Sequence, residues 1–224
     1  MDNVLNFPNY YYIRQVFTDA SADMRKLSEY TRAAEVAYKR MDTLGNFIDN
    51  HDVDRFLYAR NDTAALMNAL AYLWGSRGIP ILYYGTEQGF SSQNNRQLMW
   101  NFGYSIDGKL ASFVIFLNSL RTKYEYYKSP IVELQSEKDL FIFRRSPVIF
   151  MLSNRGAGSP FTATLSLEAG KYCDFLENCF CSAGGDGANS LDTQNSGLES
   201  ELEFLSPDGQ PIIIVKTEEA CGIN

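Results

Sequence analysis

The sequence is poor in basic residues, and this limits the partners that it can bind. Its 224 residues include 20 Lys or Arg against 27 Asp or Glu, which gives a formal net charge of −7. Nucleic acids and anionic lipid surfaces attract proteins through clustered positive charge, so either partner repels an acidic chain. We therefore expect no nucleic acid and no membrane as a partner, whereas neutral ligands stay open.

Long hydrophobic runs are also absent. The longest uncharged run in the middle of the chain, Thr63 to Ser76, stops at Arg77, short of the ~20 residues that cross a bilayer. The first residues, Met1 to Pro8, contain no basic segment followed by an apolar one, so no secretory signal is visible there. With 45% hydrophobic and 14% aromatic residues, the chain can nevertheless bury the core of one large or two small domains.

Cysteine is missing from the first 172 residues, and all four cysteines lie in the last quarter of the chain: Cys173, Cys179, Cys181 and Cys221. A zinc site needs Cys-x-x-Cys pairs or nearby histidines, and neither is present. Disulfides are favoured over free thiols, and they indicate an oxidising compartment.

Short apolar runs alternate with helix-period segments through residues 1–129, which is typical of βα units. Three such units can be placed. The predicted strands are Val4–Phe7, Gly45–Ile48 and Ile79–Tyr84, and the predicted helices are Asp23–Arg40, Thr63–Trp74 and Lys109–Tyr127.

After Pro130 the pattern changes to period-two strands separated by turn residues. Six strands are predicted, at residues 131–134, 140–144, 148–152, 161–167, 202–205 and 212–215. Such a series is typical of a small antiparallel β-domain. We therefore predict two domains, residues 1–129 and residues 130–224.

The single histidine lies in the segment Phe47-Ile48-Asp49-Asn50-His51-Asp52, at the end of an apolar run. A strand that ends in polar residues delivers them to the mouth of a barrel. A solitary histidine is more often a structural residue than a catalytic one, so the tripeptide alone is weak evidence. Its surroundings strengthen it, because a second strand of the Gly-Ile-Pro type follows after one helix and an Asn95-Arg96 pair lies in the loop beyond.

This ordered set of motifs, followed by the all-β tail, resembles the carboxy-terminal portion of the fungal-type secreted α-amylases, within the α-amylase family of glycoside hydrolases. The resemblance runs through essentially the whole chain. It implies an α/β partial TIM barrel, made of the last three βα units, followed by an all-β antiparallel sandwich domain. It also implies a secreted, retaining hydrolase of α-1,4-glucans such as starch or glycogen, with an α-glucan polysaccharide as its partner.

The resemblance assigns roles to three residues of the candidate site. Asp52 matches the aspartate that stabilises the transition state in amylases. His51 matches a histidine that contacts the same sugar unit, and Arg96 matches an arginine next to the cleaved bond. Asp49 alternates to the other side of the strand, so we expect it to support the barrel, and we expect Glu87 to brace its loop rather than act as an acid.

Two departures limit what the resemblance implies. The loop Ser91-Ser92-Gln93-Asn94-Asn95-Arg96 has no carboxylate where fungal-type amylases have a sugar-binding aspartate, a loss of ~1–3 kcal/mol in sugar binding. The opening of the chain matches a segment just before the sixth barrel strand. The nucleophile, the acid/base and the calcium-binding region are then expected in a missing N-terminal barrel half, with no cofactor or metal in this chain. The alternative is a catalytically inactive relative or a carbohydrate-binding pseudoenzyme.

The family also has a disulfide that ties the end of the chain to the β-domain. On that resemblance, and because the cysteines are confined to this domain, we predict a bridge between Cys179 and Cys221. Pairings through Cys173 or Cys181 stay open.

Overall fold

The computed structural model of the protein describes residues 4–174, 178–182 and 199–218. The helices are α1 (Phe7–Phe17), α2 (Arg25–Ala37), α3 (Phe56–Ala59), α4 (Thr63–Gly75) and α5 (Lys109–Tyr124). The strands are β1 (Gly45–Asn46), β2 (Ile79–Pro80), β3 (Val132–Ser136), β4 (Leu140–Arg145), β5 (Val148–Ser153), β6 (Phe161–Glu168), β7 (Gly170–Asp174), β8 (Cys179–Ser182), β9 (Glu199–Ser206) and β10 (Ile212–Lys216). An α/β part therefore precedes an antiparallel β part, as predicted.

The parallel sheet of the first part is much shorter than predicted. Strands β1 and β2 pair in parallel over two residues each, and Leu5 adds only an isolated parallel bridge to Gly45. The predicted strand Val4–Phe7 is wrong, because α1 already begins at Phe7. Asn6 caps this helix by accepting a hydrogen bond from the backbone of Asn9, and Pro8 lies in its first turn, where it disrupts no helical hydrogen bond.

Helix α4 is buried on nearly every side, and its composition explains this. It is rich in Ala and Leu, and twelve residues from Ala64 to Gly75 are buried. Asp62 caps its start by accepting a hydrogen bond from the backbone of Ala65 at 3.0 Å. A helix that is apolar all round belongs in the centre of a core. In the described part of the chain, no helix is both long and apolar enough to be a membrane span.

Within the described residues, the β part forms two antiparallel sheets. Six strands pair in the order β3-β4-β5-β10-β7-β8, and β6 pairs with β9. Along β4 and β5, alternate side chains enter two different cores. Phe141, Phe143 and Phe150 pack with the helices, whereas Ile142 and Met151 pack against β6. The large sheet is therefore covered on both faces, which is why β5 is buried along its whole length.

The predicted boundary between residues 129 and 130 does not interrupt the hydrophobic core. Gly75, at the end of α4, lies so close to Phe143 that an added Cβ would be 2.6 Å from its ring. The guanidinium of Arg145 is buried and donates to the carbonyl oxygens of Ser76 at 2.9 Å and Ser129 at 3.0 Å. Burial lowers the pKa of Arg145 to about 10. The helical part and the large sheet thus share one core.

The disulfide differs from the predicted one. Cys173 is bonded to Cys179, so the predicted bridge from Cys179 to Cys221 is wrong, and Cys221 lies outside the described residues. The two bonded cysteines lie directly opposite each other in the β7–β8 hairpin. Neither strand was predicted from the sequence, so this local pairing could not be foreseen.

Candidate functional site

The polar residues of the histidine motif follow β1, and Arg96 lies in the loops that follow β2. Because the two strands are parallel, their carboxyl ends lie at the same edge of the sheet. The structure therefore brings the three predicted site residues, His51, Asp52 and Arg96, to one edge.

Asp52 is open to solvent, with 64% of its side chain exposed. Its backbone N–H donates to Oδ1 of Asn50 at 2.8 Å, a short turn that fixes the backbone at this point. Its carboxylate lies 3.3 Å from Nε2 of His51, whose side chain is 61% exposed. Both side chains can therefore reach a ligand from solution.

The side chain of Arg96 holds the loop of residues 47–55, which follows β1 and contains His51 (the histidine loop). Its Nη2 donates to the backbone oxygen of His51 at 3.3 Å, and its own backbone N–H donates to Oδ1 of Asn94. The adjacent Asn95 donates from Nδ2 to the backbone oxygen of Val53 at 2.9 Å. Two consecutive residues of one loop thus hold the other loop.

A buried polar layer lies behind this exposed group. Asp49 is 2% exposed, and the hydroxyl of Thr86 donates to its carboxylate at 2.9 Å. Burial raises the pKa of Asp49 above its ordinary value, against the lowering effect of Thr86 and Arg55. This placement agrees with the structural role expected for Asp49.

Arg55 is the centre of that layer, and its side chain is completely buried. Its guanidinium lies 4.3 Å from the ring centroid of Tyr83 and 5.3 Å from that of Phe90. Its Nη1 lies 3.8 Å from Asp49, and its Nη2 donates to the backbone oxygen of Asn95 at 2.9 Å. A buried cation of this kind is stabilised by aromatic faces and by a nearby carboxylate.

Arg55 and Thr86 are the residues of the site region whose roles sequence reasoning missed. A signal was present, because an arginine three residues after a site aspartate and an aromatic run after the next strand offer a cation and its rings.

Glu87 shows no bracing contact through Oε2, which is buried and has no hydrogen-bond partner within the described residues.

No metal centre is assembled by the part of the chain that the structure describes. Residues 4–174, 178–182 and 199–218 contain no group of three or more His, Cys, Asp or Glu side chains placed to hold a metal ion. The calcium expected in a complete relative stays a prediction.

Comparison with known proteins identifies relatives, although no protein-family model matches the chain. It is 33% identical over 210 residues to alpha-amylase 1 of Schwanniomyces occidentalis, covering 85% of this chain and 40% of that protein. It is 31% identical to a cyclomaltodextrin glucanotransferase of Paenibacillus macerans, covering 94% of this chain and 31% of the relative. The chain spans less than half the length of both relatives.

The fold agrees with these matches. The solved structure of an alpha-amylase from Malbranchea cinnamomea superposes with a TM-score of 0.81 at 25% identity, over 96% of this chain and 46% of that one. The chain belongs to the α-amylase family of glycoside hydrolases and corresponds to the carboxy-terminal portion of its longer relatives. The predicted family membership is confirmed.

Proposed function

We propose that this chain forms part of the substrate-binding wall of a retaining hydrolase of α-1,4-glucans. In this proposal Asp52 stabilises the transition state, His51 contacts a hydroxyl of the same sugar, and Arg96 binds beside the cleaved bond. The observation that carries it is the grouping of these three side chains at one sheet edge, with Asp52 and His51 open to solvent. A fixed carboxylate there can stabilise the positive charge that develops on the sugar ring.

The proposal includes a second body of protein that supplies the reacting groups. A retaining glycosidase needs a nucleophile and an acid about 5–5.5 Å apart, and we assign both to an N-terminal barrel half outside this chain, together with the calcium site. Apolar side chains at the edge of the short parallel sheet support this, because Leu5 is 53% exposed and Ile79 is 51% exposed. Further barrel strands would cover them, and the chain itself would then be the last three βα units of a TIM barrel.

Secretion belongs to the same proposal. The Cys173–Cys179 disulfide supports it, because structural disulfides persist mainly in oxidising compartments.

Glucan binding by the purified chain tests the proposed role of the site. We expect the chain to bind maltohexaose, measured by isothermal titration calorimetry, and Asp52→Asn to weaken that binding about tenfold, the effect of losing a charged hydrogen-bonding group. Asp54→Asn is the matched control, because Asp54 is an exposed carboxylate two residues further along the same loop. Equal loss in both variants, or no binding by the unsubstituted chain, contradicts the proposal.

Starch hydrolysis tests the proposed absence of the reacting groups. Loss of a nucleophile or its proton donor costs about 10⁴-fold or more in rate, so the purified chain should release no reducing sugar above a heat-killed control. Release that Asp52→Asn abolishes would show that the chain carries its own nucleophile and acid.

An inactive relative or carbohydrate-binding pseudoenzyme is the second candidate, favoured by the loop of residues 91–96, which lacks a carboxylate. Sequencing the transcript upstream of the Met1 codon separates the two. An open frame that encodes an aspartate nucleophile and a glutamate acid supports the enzyme, and a frame without them supports the inactive relative.

A further inference from the structure

We propose that Arg55 is a positioning residue that sets the distance between the two loops of the glucan site. The inference deepens the proposed function, on which it rests. Arg55 is out of reach of a ligand in solution, because its side chain is completely buried. It acts through the backbone of the loop that carries Arg96.

Three separate segments meet at the Arg55 guanidinium. Its Nη2 donates to the backbone oxygen of Asn95 at 2.9 Å. Its Nη1 lies 3.8 Å from Asp49, which belongs to the same loop as Arg55. Its flat face lies against the rings of Tyr83 and Phe90, which belong to the segment after β2. One side chain therefore connects its own loop (residues 47–55), the segment from Tyr83 to Phe90 and the loop that carries Arg96.

The contacts between the two loops are reciprocal. Arg55 holds the carbonyl of Asn95, and the side chain of Asn95 returns a hydrogen bond to the backbone oxygen of Val53 at 2.9 Å. Arg96, the next residue, donates to the backbone oxygen of His51 at 3.3 Å. If the carbonyl of Asn95 moves, Arg96 moves with it, and the hydrogen bond from Arg96 to the backbone oxygen of His51 is weakened or lost.

The chemistry requires arginine at this position. A guanidinium is planar, so it can lie on the aromatic rings and donate in its own plane to the Asn95 carbonyl at the same time. Lysine keeps the positive charge opposite Asp49 but has no flat face that can lie on the rings while it donates to Asn95. Arg55→Lys therefore separates positioning from charge.

The chain offers a sensitive reporter of loop position, because His51 is its only histidine. Its ring protons give one set of NMR signals, which we would record for the purified full chain with and without maltohexaose. We expect Arg55→Lys to shift these signals and to weaken maltohexaose binding about tenfold. Asn95→Ala, which keeps Arg55 and removes only the return hydrogen bond, should shift the His51 signals in the same direction and serves as the second variant if Arg55→Lys does not fold.

Arg60→Lys is the matched control. Arg60 also donates to backbone oxygens, those of Phe17 at 3.1 Å and Asn154 at 2.8 Å, but on the side that faces the β part. It should lower the melting temperature while leaving the His51 signals in place and glucan binding within about twofold.

The outcomes separate this inference from the function on which it rests. Unchanged His51 signals in Arg55→Lys and Asn95→Ala, with only a lower melting temperature, would overturn the positioning role. If the unsubstituted chain binds no maltohexaose while the His51 signals still shift in both variants, the proposed function is wrong and the positioning role of Arg55 is supported.

Discussion

Asp49 and Asp52 lie three residues apart, yet their surroundings are opposite. Asp49 is 2% exposed and held by Thr86 and Arg55, whereas 64% of the Asp52 side chain is exposed beside His51. Asp49 lies three residues beyond β1, where Thr86 and Arg55 enclose it, and Asp52 lies in the turn that follows, where its side chain is open to solvent. The same side chain therefore serves the fold in one position, and in the other it is open to the ligand that we propose.

The comparison also shows how the two groups depend on each other. Arg55 belongs to the buried group by its environment, and through the carbonyl of Asn95 it reaches the loop of the exposed group. Substitutions in the buried group should therefore lower the free energy of unfolding strongly, and substitutions in the exposed group should leave it nearly unchanged. Four substitutions test this division.

Arg55→Leu should have the largest effect on stability. It leaves the carboxylate of Asp49 buried without its cation and removes the donor to Asn95, so we expect the free energy of unfolding to fall by about 3–5 kcal/mol. Urea unfolding followed by circular dichroism measures it. The double variant Asp49→Leu with Arg55→Leu should lose less than Arg55→Leu alone, because no unpaired charge remains buried. A greater loss in the double variant contradicts this account.

Thr86→Val should have the next largest effect. It preserves the shape of the side chain but removes the hydroxyl that donates to Asp49 at 2.9 Å, so a loss of about 1–3 kcal/mol is expected. Thr164→Val is the control, because Thr164 is exposed on β6 and its substitution should change stability by less than about 0.5 kcal/mol. Equal losses at the two positions would mean that the Asp49 hydrogen bond contributes nothing specific.

Asp49→Asn should change the slope of stability with pH. Burial raises the pKa of Asp49, so its carboxyl binds a proton more tightly in the folded chain than in the unfolded one. Its contribution is fully present below the unfolded pKa of about 3.9 and is lost as the pH rises through the folded pKa. Unfolding in urea at several pH values should show the unsubstituted chain losing stability relative to Asp49→Asn across that window. A gain with rising pH would show that attraction to Arg55 outweighs burial.

Asp52→Asn should have the smallest effect on stability. The side chain is exposed and its neighbour His51 is exposed as well, so the change should stay within about 0.5 kcal/mol. Thermal unfolding of the variant beside the unsubstituted chain measures it. A loss comparable to that of Thr86→Val would remove the distinction between the two aspartates.

Several elements could be predicted because their signals are local. Helix α4 follows from a run of Ala and Leu between a capping Asp62 and Ser76, and β6 follows from strict alternation of apolar and polar residues, which are buried and exposed in turn. The grouping of His51, Asp52 and Arg96 followed from their places after two neighbouring strands. Helix α1 (Phe7–Phe17) was missed altogether, because the segment from Val4 to Phe7 suits a strand equally well, and the cap at Asn6 decided it.

The strands β7 and β8 were missed for a different reason. They are short and only partly buried, so they lack the alternation that marks β6. Their pairing places Cys173 opposite Cys179, which a count of cysteines cannot reveal.

By itself the sequence determined the family, the order of an α/β part before an antiparallel β part, and the residues of the proposed glucan site, because these depend on motifs and periodicity along the chain. Only the tertiary structure decided which cysteines pair, that one core spans both parts, and that Arg55 connects the loops of the site. These properties depend on contacts between residues that are distant in sequence. Arg55 and Asn95 meet only because two parallel strands bring their loops to the same edge.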